Sequence, residues 1–362
     1  MKIHRFGFRD GSPELRERFL ELRESIHRDD YYFYSERATA VALLDYYSGR
    51  SDYSYRMLLA EAEGHGDVAR LLVGCCEAYD FAFFGFFECP NDLACFRELM
   101  EAGCEVAREL GARDLQGPIE LNPFHGWMFL DDTATDARWV GDPYHRRFYP
   151  ELFRRERWDV GDRSTSGVLR PAAHRAVMAA RPEAMAALER QGMKVLRLGE
   201  VPEEDFLPEV WRLVSEAFTT QLHRYVPVDL PVFRLQTRPV LSRLHDPESL
   251  LLVYEGDSCR GFCLSYDNFI DRVCDPAGRR VPPAGRVPFA SPFSMKTFGV
   301  DAGFRGRGVW KALFCSHAAH AEAVYRNRAA WRRTGVRNPG TQRLQADAFI
   351  TETYVTFRRR LR

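Results

Sequence analysis

Hydrophobic and polar positions change their period along the chain, and each change predicts a new helix or strand. Apolar residues at helical spacing predict helices over residues 13–27, 92–110 and 174–191. Short apolar runs bounded by Gly, Asn and Asp predict strands over residues 56–61, 70–78 and 81–88, with another strand starting at residue 114. The first half of the chain is therefore predicted to mix strands and helices.

The second half continues in the same manner. Helical spacing predicts helices over residues 203–218, 230–244 and 309–323, and apolar runs predict strands over residues 194–198, 249–255, 260–266, 293–300, 329–336 and 353–358. Pro182 breaks the helical pattern, because proline fits the first turn of a helix but not its interior. We place a domain boundary near residue 190, which predicts an α/β fold with domains 1–190 and 191–362.

The segment Asp-Ala-Gly-Phe-Arg-Gly-Arg-Gly, residues 301–308, joins a predicted strand to the helix that begins at Val309. The first four backbone N–H groups of a helix have no partner within it, and the aligned peptide dipoles place positive charge there. Gly306 and Gly308 would let a phosphate approach the backbone, and Arg305 and Arg307 would add charge-assisted hydrogen bonds. The sequence therefore predicts an anion site at this turn.

Composition narrows the class of protein. The 362 residues are 45% hydrophobic, and 51 basic residues balance 51 acidic ones, so no global field attracts nucleic acid or membrane. The nine cysteines contain no Cys-x-x-Cys pair, which favours buried reduced thiols over metal ligands. No long apolar run or leader segment is recognisable, so we expect a cytoplasmic protein that uses no metal.

Residues 300–313, Val-Asp-x-x-Phe-Arg-Gly-Arg-Gly-Val-x-x-Ala-Leu, resemble the acyl-CoA pyrophosphate loop of the GNAT superfamily of N-acyltransferases, Arg/Gln-x-x-Gly-x-Gly/Ala. Arg305 and Gly308 match this pattern, whereas Trp310 stands where the family has a small residue. The resemblance implies that acetyl-CoA or another acyl-CoA binds at residues 305–310, that is, at Arg305, Gly306, Arg307, Gly308, Val309 and Trp310. It also implies that Phe298 and Val300 pair with the pantetheine arm and that Asn338 contacts it.

The first half resembles a GNAT fold as well, but without the loop. The segment Phe-Phe-Gly-Phe-Phe-Glu-Cys-Pro-Asn-Asp, residues 83–92, stands where the loop would be, and Glu88 and Asp92 would repel a pyrophosphate. The resemblance therefore implies two tandem GNAT-like domains, each a mixed, mainly antiparallel sheet flanked by helices. It also implies one donor site, in the second domain.

In the GNAT fold, the segment after the first helix forms one wall of the acceptor site. The resemblance therefore makes Gln221 and Arg224 candidate acceptor contacts, with Asp267 at the end of a neighbouring strand. His223 is a candidate base, since its ordinary pKa suits proton removal from an ammonium group. Gln345 replaces the tyrosine acid of the family, so the acid is Tyr354, Tyr225 or solvent.

The irregular segment 120–142 of the first half contains further polar candidates. Asn122, His125 and Trp127 could line an acceptor pocket shared with the second half, and a surface loop packed by its own aromatic residues is the alternative. No glutamate stands near Thr297, where some GNAT enzymes have their base.

Three functions from different classes fit these observations. The first is an N-acyltransferase that moves an acyl group from acyl-CoA to the amine of a small molecule by direct attack. The second is a related biosynthetic transferase whose donor is a carrier-protein thioester or an aminoacyl-tRNA. The arginines between residues 326 and 343 would contact the tRNA, and ordinary solvated arginines are the alternative. The third is a non-catalytic GNAT-like protein that binds a metabolite. The acceptor, the acyl group and the oligomeric state are not readable from the sequence.

Overall fold

The computed structural model describes residues 1–30, 33–133, 139–221, 225–268, 293–335 and 339–361. These residues form thirteen strands and ten helices. The strands are β1 (Lys2–Phe6), β2 (Tyr53–Ala62), β3 (Gly66–Cys76), β4 (Ala82–Glu88), β5 (Asp114–Gly117), β6 (Phe129–Thr133), β7 (Asp159–Leu169), β8 (Met193–Arg197), β9 (Leu250–Glu255), β10 (Ser258–Tyr266), β11 (Ser294–Val300), β12 (Ala330–Gly335) and β13 (Ala348–Arg360).

The helices lie on both faces of the sheet. They are α1 (Pro13–His27), α2 (Arg37–Ser48), α3 (Leu93–Glu109), α4 (Tyr149–Arg155), α5 (Pro171–Ala179), α6 (Arg181–Glu189), α7 (Glu203–Gln221), α8 (Leu230–Leu241), α9 (Val309–Tyr325) and α10 (Pro339–Ala346). Local sequence sets several of their ends. Ser12 caps α1, where its hydroxyl accepts a hydrogen bond from the Leu15 amide at 3.1 Å, and Pro13 occupies the first turn.

All strands belong to one sheet in the order β1-β2-β3-β4-β5-β13-β7-β12-β11-β10-β9-β8, with β6 attached to β13. Neighbouring strands are antiparallel except for two pairs, β4–β5 and β11–β12. The structure thus has the mixed, mainly antiparallel sheet that the sequence predicts.

The two halves exchange their last strands at the centre of this sheet. β13, the last strand of the chain, pairs with β5 of the first half over Asp114–Gly117. β7, from the first half, lies between β13 and β12 of the second half. Backbone hydrogen bonds therefore connect the two halves, so that neither half completes its part of the sheet without a strand from the other.

Buried apolar residues form three clusters on the two faces of the sheet. One cluster per half lies under α3 and under α9. The third cluster is continuous across both halves, because α1 and α2 of the first half and α7 and α8 of the second half pack on the same side. The candidate site described below lies within this shared layer.

Most predicted elements are confirmed, with differences in the first half. The structure adds β1, α2, α4 and β6, which we did not predict, and β13 is longer than the predicted strand over residues 353–358. The break at Pro182 is present, since α5 ends at Ala179 and α6 begins at Arg181. The domain boundary near residue 190 stays a prediction.

Candidate active site

The strands β11 and β12 separate soon after they meet. They pair only at Ser294 with Ala330 and at Met295 with Trp331, after which β12 continues along β7. In the described part of the chain, the edge of β11 beyond Met295 has no strand partner. Unpaired backbone N–H and C=O groups at such an edge can bind an extended ligand as an added strand would.

A β-bulge lies at the point of separation. Leu264 of β10 pairs with Thr297 and Ser265 pairs with Met295, so that Lys296 is the extra residue. A bulge turns side chains away from the regular alternation. Here Lys296 and Thr297, although adjacent, both line the same cavity.

The turn before α9 has the conformation that its glycines allow. Gly306 and Gly308 have φ values of 80° and 88°, in the left-handed region, and α9 begins directly after Gly308. A Cβ atom at either glycine would meet no heavy atom within 4 Å, so the space in front of the turn is open. No side chain caps this end of α9. The start of α9 therefore combines open space at its glycines with the absence of a side-chain cap, two conditions that an anion site at a helix start needs.

Arg305 and Arg307 flank this turn and are exposed. The Arg307 guanidinium lies 4.4 Å from the centre of the Phe304 ring, and its Nε donates to Gln191 Oε1 at 3.1 Å. These contacts hold Arg307 beside the helix end.

Trp310 packs against the sheet. Its ring stacks on Phe298 with the ring centres 4.1 Å apart, and on Phe314 at 5.0 Å. Both Trp310 and Phe298 are half-buried, so part of the stack stays accessible. Trp310, which stands where the GNAT loop has a small residue, thus covers the side chain of Phe298. Phe298 is the β11 residue that is expected to lie beside the donor.

The corresponding place in the first half is closed by the chain itself. β4 and β5, like β11 and β12, pair at two positions only, and the pairing starts at Ala82 in β4 and at Ser294 in β11. Phe86 lies four residues after Ala82, and Phe298 lies four residues after Ser294, so Phe86 is the counterpart of Phe298. The Phe86 amide donates to Glu120 Oε2 at 2.8 Å. At the start of α3, Asp92 Oδ1 accepts from the Cys95 amide at 2.8 Å. Protein carboxylates therefore bind amides at both places where a donor would bind.

The environment of Glu88 differs from the one that we expected. It is fully buried, and its carboxylate pairs with Arg23 at 2.7 Å and accepts from the Tyr149 hydroxyl at 2.7 Å. Burial raises the pKa of Glu88, but Arg23, a hydrogen bond from His27, and Arg70 outweigh it and hold the pKa at about 2. Our expectation that Glu88 repels a pyrophosphate is wrong, because this charge is neutralised inside the core.

A cavity of about 440 Å³ adjoins Thr297 and lies between the halves. The second half contributes α7, α8 and strands β9 and β10 to its wall, and the first half contributes His125, Trp127 and residues near Tyr34. The volume falls within the range of small-molecule sites. His125 and Trp127 thus line a cavity together with residues of the second half, whereas Asn122 does not line it, and the use of this cavity for an acceptor stays a prediction.

Two paired cations, Lys296 and Arg332, line this cavity. Asp142 contacts both Lys296, at 2.7 Å, and Arg332, which also pairs with Glu352 at 2.5 Å. The Tyr354 hydroxyl lies 3.0 Å from Asp142 and 3.1 Å from Glu352. Sequence reasoning did not find Asp142, Lys296 or Arg332, since no motif links residues so far apart in the chain.

Tyr354, a candidate acid, is at the centre of this network. Its hydroxyl also accepts from Arg332 at 3.1 Å, and the residue is almost fully buried. Burial raises the pKa of Tyr354 well above its usual range, and the Asp142 and Glu352 carboxylates add to the effect of burial. Tyr354 therefore holds its proton inside an ion-pair cluster.

The other candidates are placed as follows. His125 hydrogen bonds to Gln236 and to the Tyr47 hydroxyl, and burial lowers its pKa to about 4, so that the ring is neutral at pH 7. Asn122 is buried and donates to the Val226 carbonyl at 2.7 Å. Tyr225 packs between Phe124 and Phe218 in the core that joins the halves.

The remaining candidates are only partly described. Asp267 is half-buried directly after β10, next to the cavity residue Tyr266. His223, Arg224 and Asn338 lie outside the described residues, as does the side chain of Gln221 at the end of α7. Their predicted roles rest on the sequence alone.

Two described arginines of the segment 326–343 are engaged with other parts of the protein. Arg332 is buried and paired with Asp142 and Glu352, while Arg328 lies over the ring of Phe349 at 5.6 Å. Among the described residues, no cluster of three or more His, Cys, Asp or Glu side chains suits a metal ion, and no helix could span a membrane.

Comparison with known proteins identifies the fold. No protein-family model and no curated protein sequence matches this chain. A tandem GNAT protein from the clavulanic acid biosynthesis pathway matches 100% of this chain and 98% of its own length, with a TM-score of 0.51 and 9% identity. A GCN5-related N-acetyltransferase from Anabaena variabilis has a TM-score of 0.51 and 10% identity over 100% of this chain and 73% of its own.

A third similar structure is a conserved protein of unknown function, a probable N-acyltransferase, from Enterococcus faecalis. It matches with a TM-score of 0.51 and 8% identity over 99% of this chain and 72% of its own. At these identities the similarity identifies the fold alone. The chain has the tandem GNAT fold that the resemblances of its two halves imply.

Proposed function

We propose that this chain, with its tandem GNAT fold, is an N-acyltransferase that moves an acyl group from acyl-CoA to the amine of a small molecule. The observation that carries the proposal is a juxtaposition in the second half. The open glycine turn at Gly306 and Gly308 stands at one end of the unpaired edge of β11, and the cavity opens beside Thr297 on the same strand.

The donor is proposed to bind along this edge. Its pyrophosphate would accept hydrogen bonds from the first amides of α9, with Arg305 and Arg307 adding charge. Its pantetheine arm would pair with β11 near Phe298 and Val300, as an added strand pairs with a sheet edge. Asn338 remains a candidate contact from the sequence.

The reaction needs few groups from the protein. The amine nitrogen attacks the thioester carbonyl, the C–N bond forms, the C–S bond breaks, and the sulfur leaves as a thiolate that takes up a proton. A backbone N–H on β11 would stabilise the oxyanion, and fixed orientation of the two substrates supplies much of the rate. His223 stays the candidate base, whereas Tyr354 is better suited to hold Arg332 and Asp142 in position than to release a proton.

The proposal is tested by thiol release. The purified chain is incubated with acetyl-, butyryl- and octanoyl-CoA, each with a panel of primary amines, and free thiol and acylated amine are measured together. We expect stoichiometric thiol and amide for at least one pair. Binding of CoA thioesters without any amide product over the whole panel would contradict the proposal.

A second candidate function is metabolite binding without transfer. It is favoured by the stack of Trp310 on Phe298, which covers part of the β11 edge where the donor is proposed to bind, and by the hydrogen bonds that hold Tyr354 within an ion-pair cluster. An aminoacyl-tRNA donor is a separate possibility, and it is tested by measuring tRNA binding at different salt concentrations beside the thiol-release assay. Binding of tRNA would fall steeply with salt as phosphate contacts release counterions, and tight, salt-dependent tRNA binding with no CoA-dependent product would favour that donor.

A further inference from the structure

We infer that the acceptor carries a sizeable apolar group, which fills the cavity between the halves. This inference rests on the proposed function and concerns the same site. The reasons are the composition of the cavity wall, its volume and the state of its charges.

The wall is formed by apolar side chains on three sides. α7 contributes Phe206, Val210 and Val214, which recur every four residues and thus lie along one face of the helix. Phe233 on α8 and Phe262 on β10 line the same space. Each of these side chains is buried, so only a small part of its surface faces the cavity.

The space is large for an apolar cavity. At about 440 Å³ it is roughly three times the 150 Å³ of an engineered apolar cavity that binds one benzene molecule. A well-packed interior leaves few voids larger than a water molecule. A cavity of this size therefore indicates a ligand group. Beside the apolar side chains of α7, Phe233 and Phe262 a polar group would lose its water without compensation, so we infer an apolar group there.

The interior charges do not call for a charged ligand. Lys296 and Arg332 are matched by Asp142 and Glu352, two cations with two carboxylates. The other ionisable groups that line the cavity are neutral His125, the hydroxyls of Tyr34 and Tyr266 and, at the exposed rim, Glu36 and Arg243. Among the described residues, Glu36 is the one carboxylate that lines the cavity, so a polycation such as spermidine would find no carboxylate deeper inside it.

The position of the cavity assigns the apolar group to the acceptor. The cavity opens beside Thr297, between the bulge at Lys296 and the Phe298 edge where the thioester is proposed to lie. An amine with a long apolar substituent would thus place its nitrogen near the carbonyl while the substituent extends under α7.

The test uses n-alkylamines from butylamine to decylamine and measures their binding to the full chain by calorimetry without CoA, with spermidine as the polar control. We expect affinity to rise about fourfold per added methylene, the factor that corresponds to about 0.8 kcal/mol, and spermidine not to bind. Affinity that does not change with chain length, or tight spermidine binding, would overturn the inference.

Variants locate the binding. Val214→Trp should fill the cavity and abolish the chain-length dependence, and Val214→Phe, which adds fewer atoms, should reduce it. Val324→Trp is the matched control, because Val324 is 58% exposed near the end of α9, outside the cavity wall, and this variant should behave as the wild type. Circular dichroism verifies folding. Unchanged alkylamine binding in a folded Val214→Trp or Val214→Phe chain would overturn the inference.

The donor is examined separately. If acetyl-CoA does not bind, the proposed function fails whatever the amines do. If acetyl-CoA binds, the affinities of acyl-CoAs with longer acyl chains are measured as well. If affinity rises with the length of the acyl chain and not of the alkylamine, and this rise is lost in Val214→Trp, the cavity holds the acyl chain and the assignment to the acceptor is wrong.

Discussion

Replacing Gly308 by valine should remove donor binding at a small cost in stability. Gly308 has a φ of 88°, and a Cβ atom there would meet no heavy atom within 4 Å, so the folded chain has room for the new side chain. The cost is conformational. An L-residue in the left-handed region loses about 1–2 kcal/mol, and a β-branched one is among the least tolerant. Since the open space is where the phosphates are proposed to bind, the valine would occupy it.

The loss of affinity should exceed tenfold, which is about 1.4 kcal/mol of binding free energy. Gly64→Val is the matched control. Gly64 has a φ of 74°, also with no heavy atom near its Cβ position, but it lies in the turn between β2 and β3, far from α9 in the sheet order. Calorimetric titration with acetyl-CoA and a thermal melt are carried out on both variants. We expect similar losses of thermal stability and a loss of CoA affinity in Gly308→Val alone, and equal CoA affinity in two folded variants would refute the assignment of the turn.

Two further predictions concern buried charges. The pKa of Glu88 is about 2, below its ordinary value of about 4.3, so its contribution of about 3 kcal/mol is present above pH 4.3 and is lost as the pH falls toward 2. Urea unfolding from pH 2 to pH 5 should show this loss in the wild type and not in Glu88→Gln, and parallel curves would contradict it. Asp142→Asn should destabilise the fold by about 3–5 kcal/mol, because Lys296 and Arg332 lose their shared partner. The exposed pair of Asp45 with Arg9 provides the control, Asp45→Asn, at about 0–1 kcal/mol, and similar urea midpoints for the two variants would contradict the role of Asp142.

Elements whose signal is local were predictable from the sequence. The stripe of Leu15, Phe19 and Leu22 predicts α1 because one face of that helix is buried and the other is polar. The glycine turn before α9 was predictable for the same reason, since its positive φ values depend on Gly306 and Gly308 themselves.

The exchange of β7 and β13 was not predictable in this way. Periodicity shows that Ala348–Arg360 contains a strand, but it carries no information on which distant strand pairs with it. β6 was missed because it is five residues long within an irregular segment and pairs only with β13.

The residues of the candidate site also fall into two groups, those that local sequence predicts and those that only tertiary contacts bring together. The predicted donor residues Phe298, Gly306 and Gly308 come together because they are close in sequence. The cluster of Asp142, Lys296 and Arg332 joins residues from both halves, and only the folded sheet brings them into contact. The chemistry that depends on tertiary contacts was therefore the part that the sequence did not reveal.

The central claim is that one acyl-CoA binds, at the glycine turn of the second half, while Asp92 and Glu120 close the corresponding place in the first half. Isothermal titration of the wild-type chain with acetyl-CoA tests it most directly. The account predicts a stoichiometry near one CoA thioester per chain. Two equivalent sites per chain, or no binding at all, would contradict it.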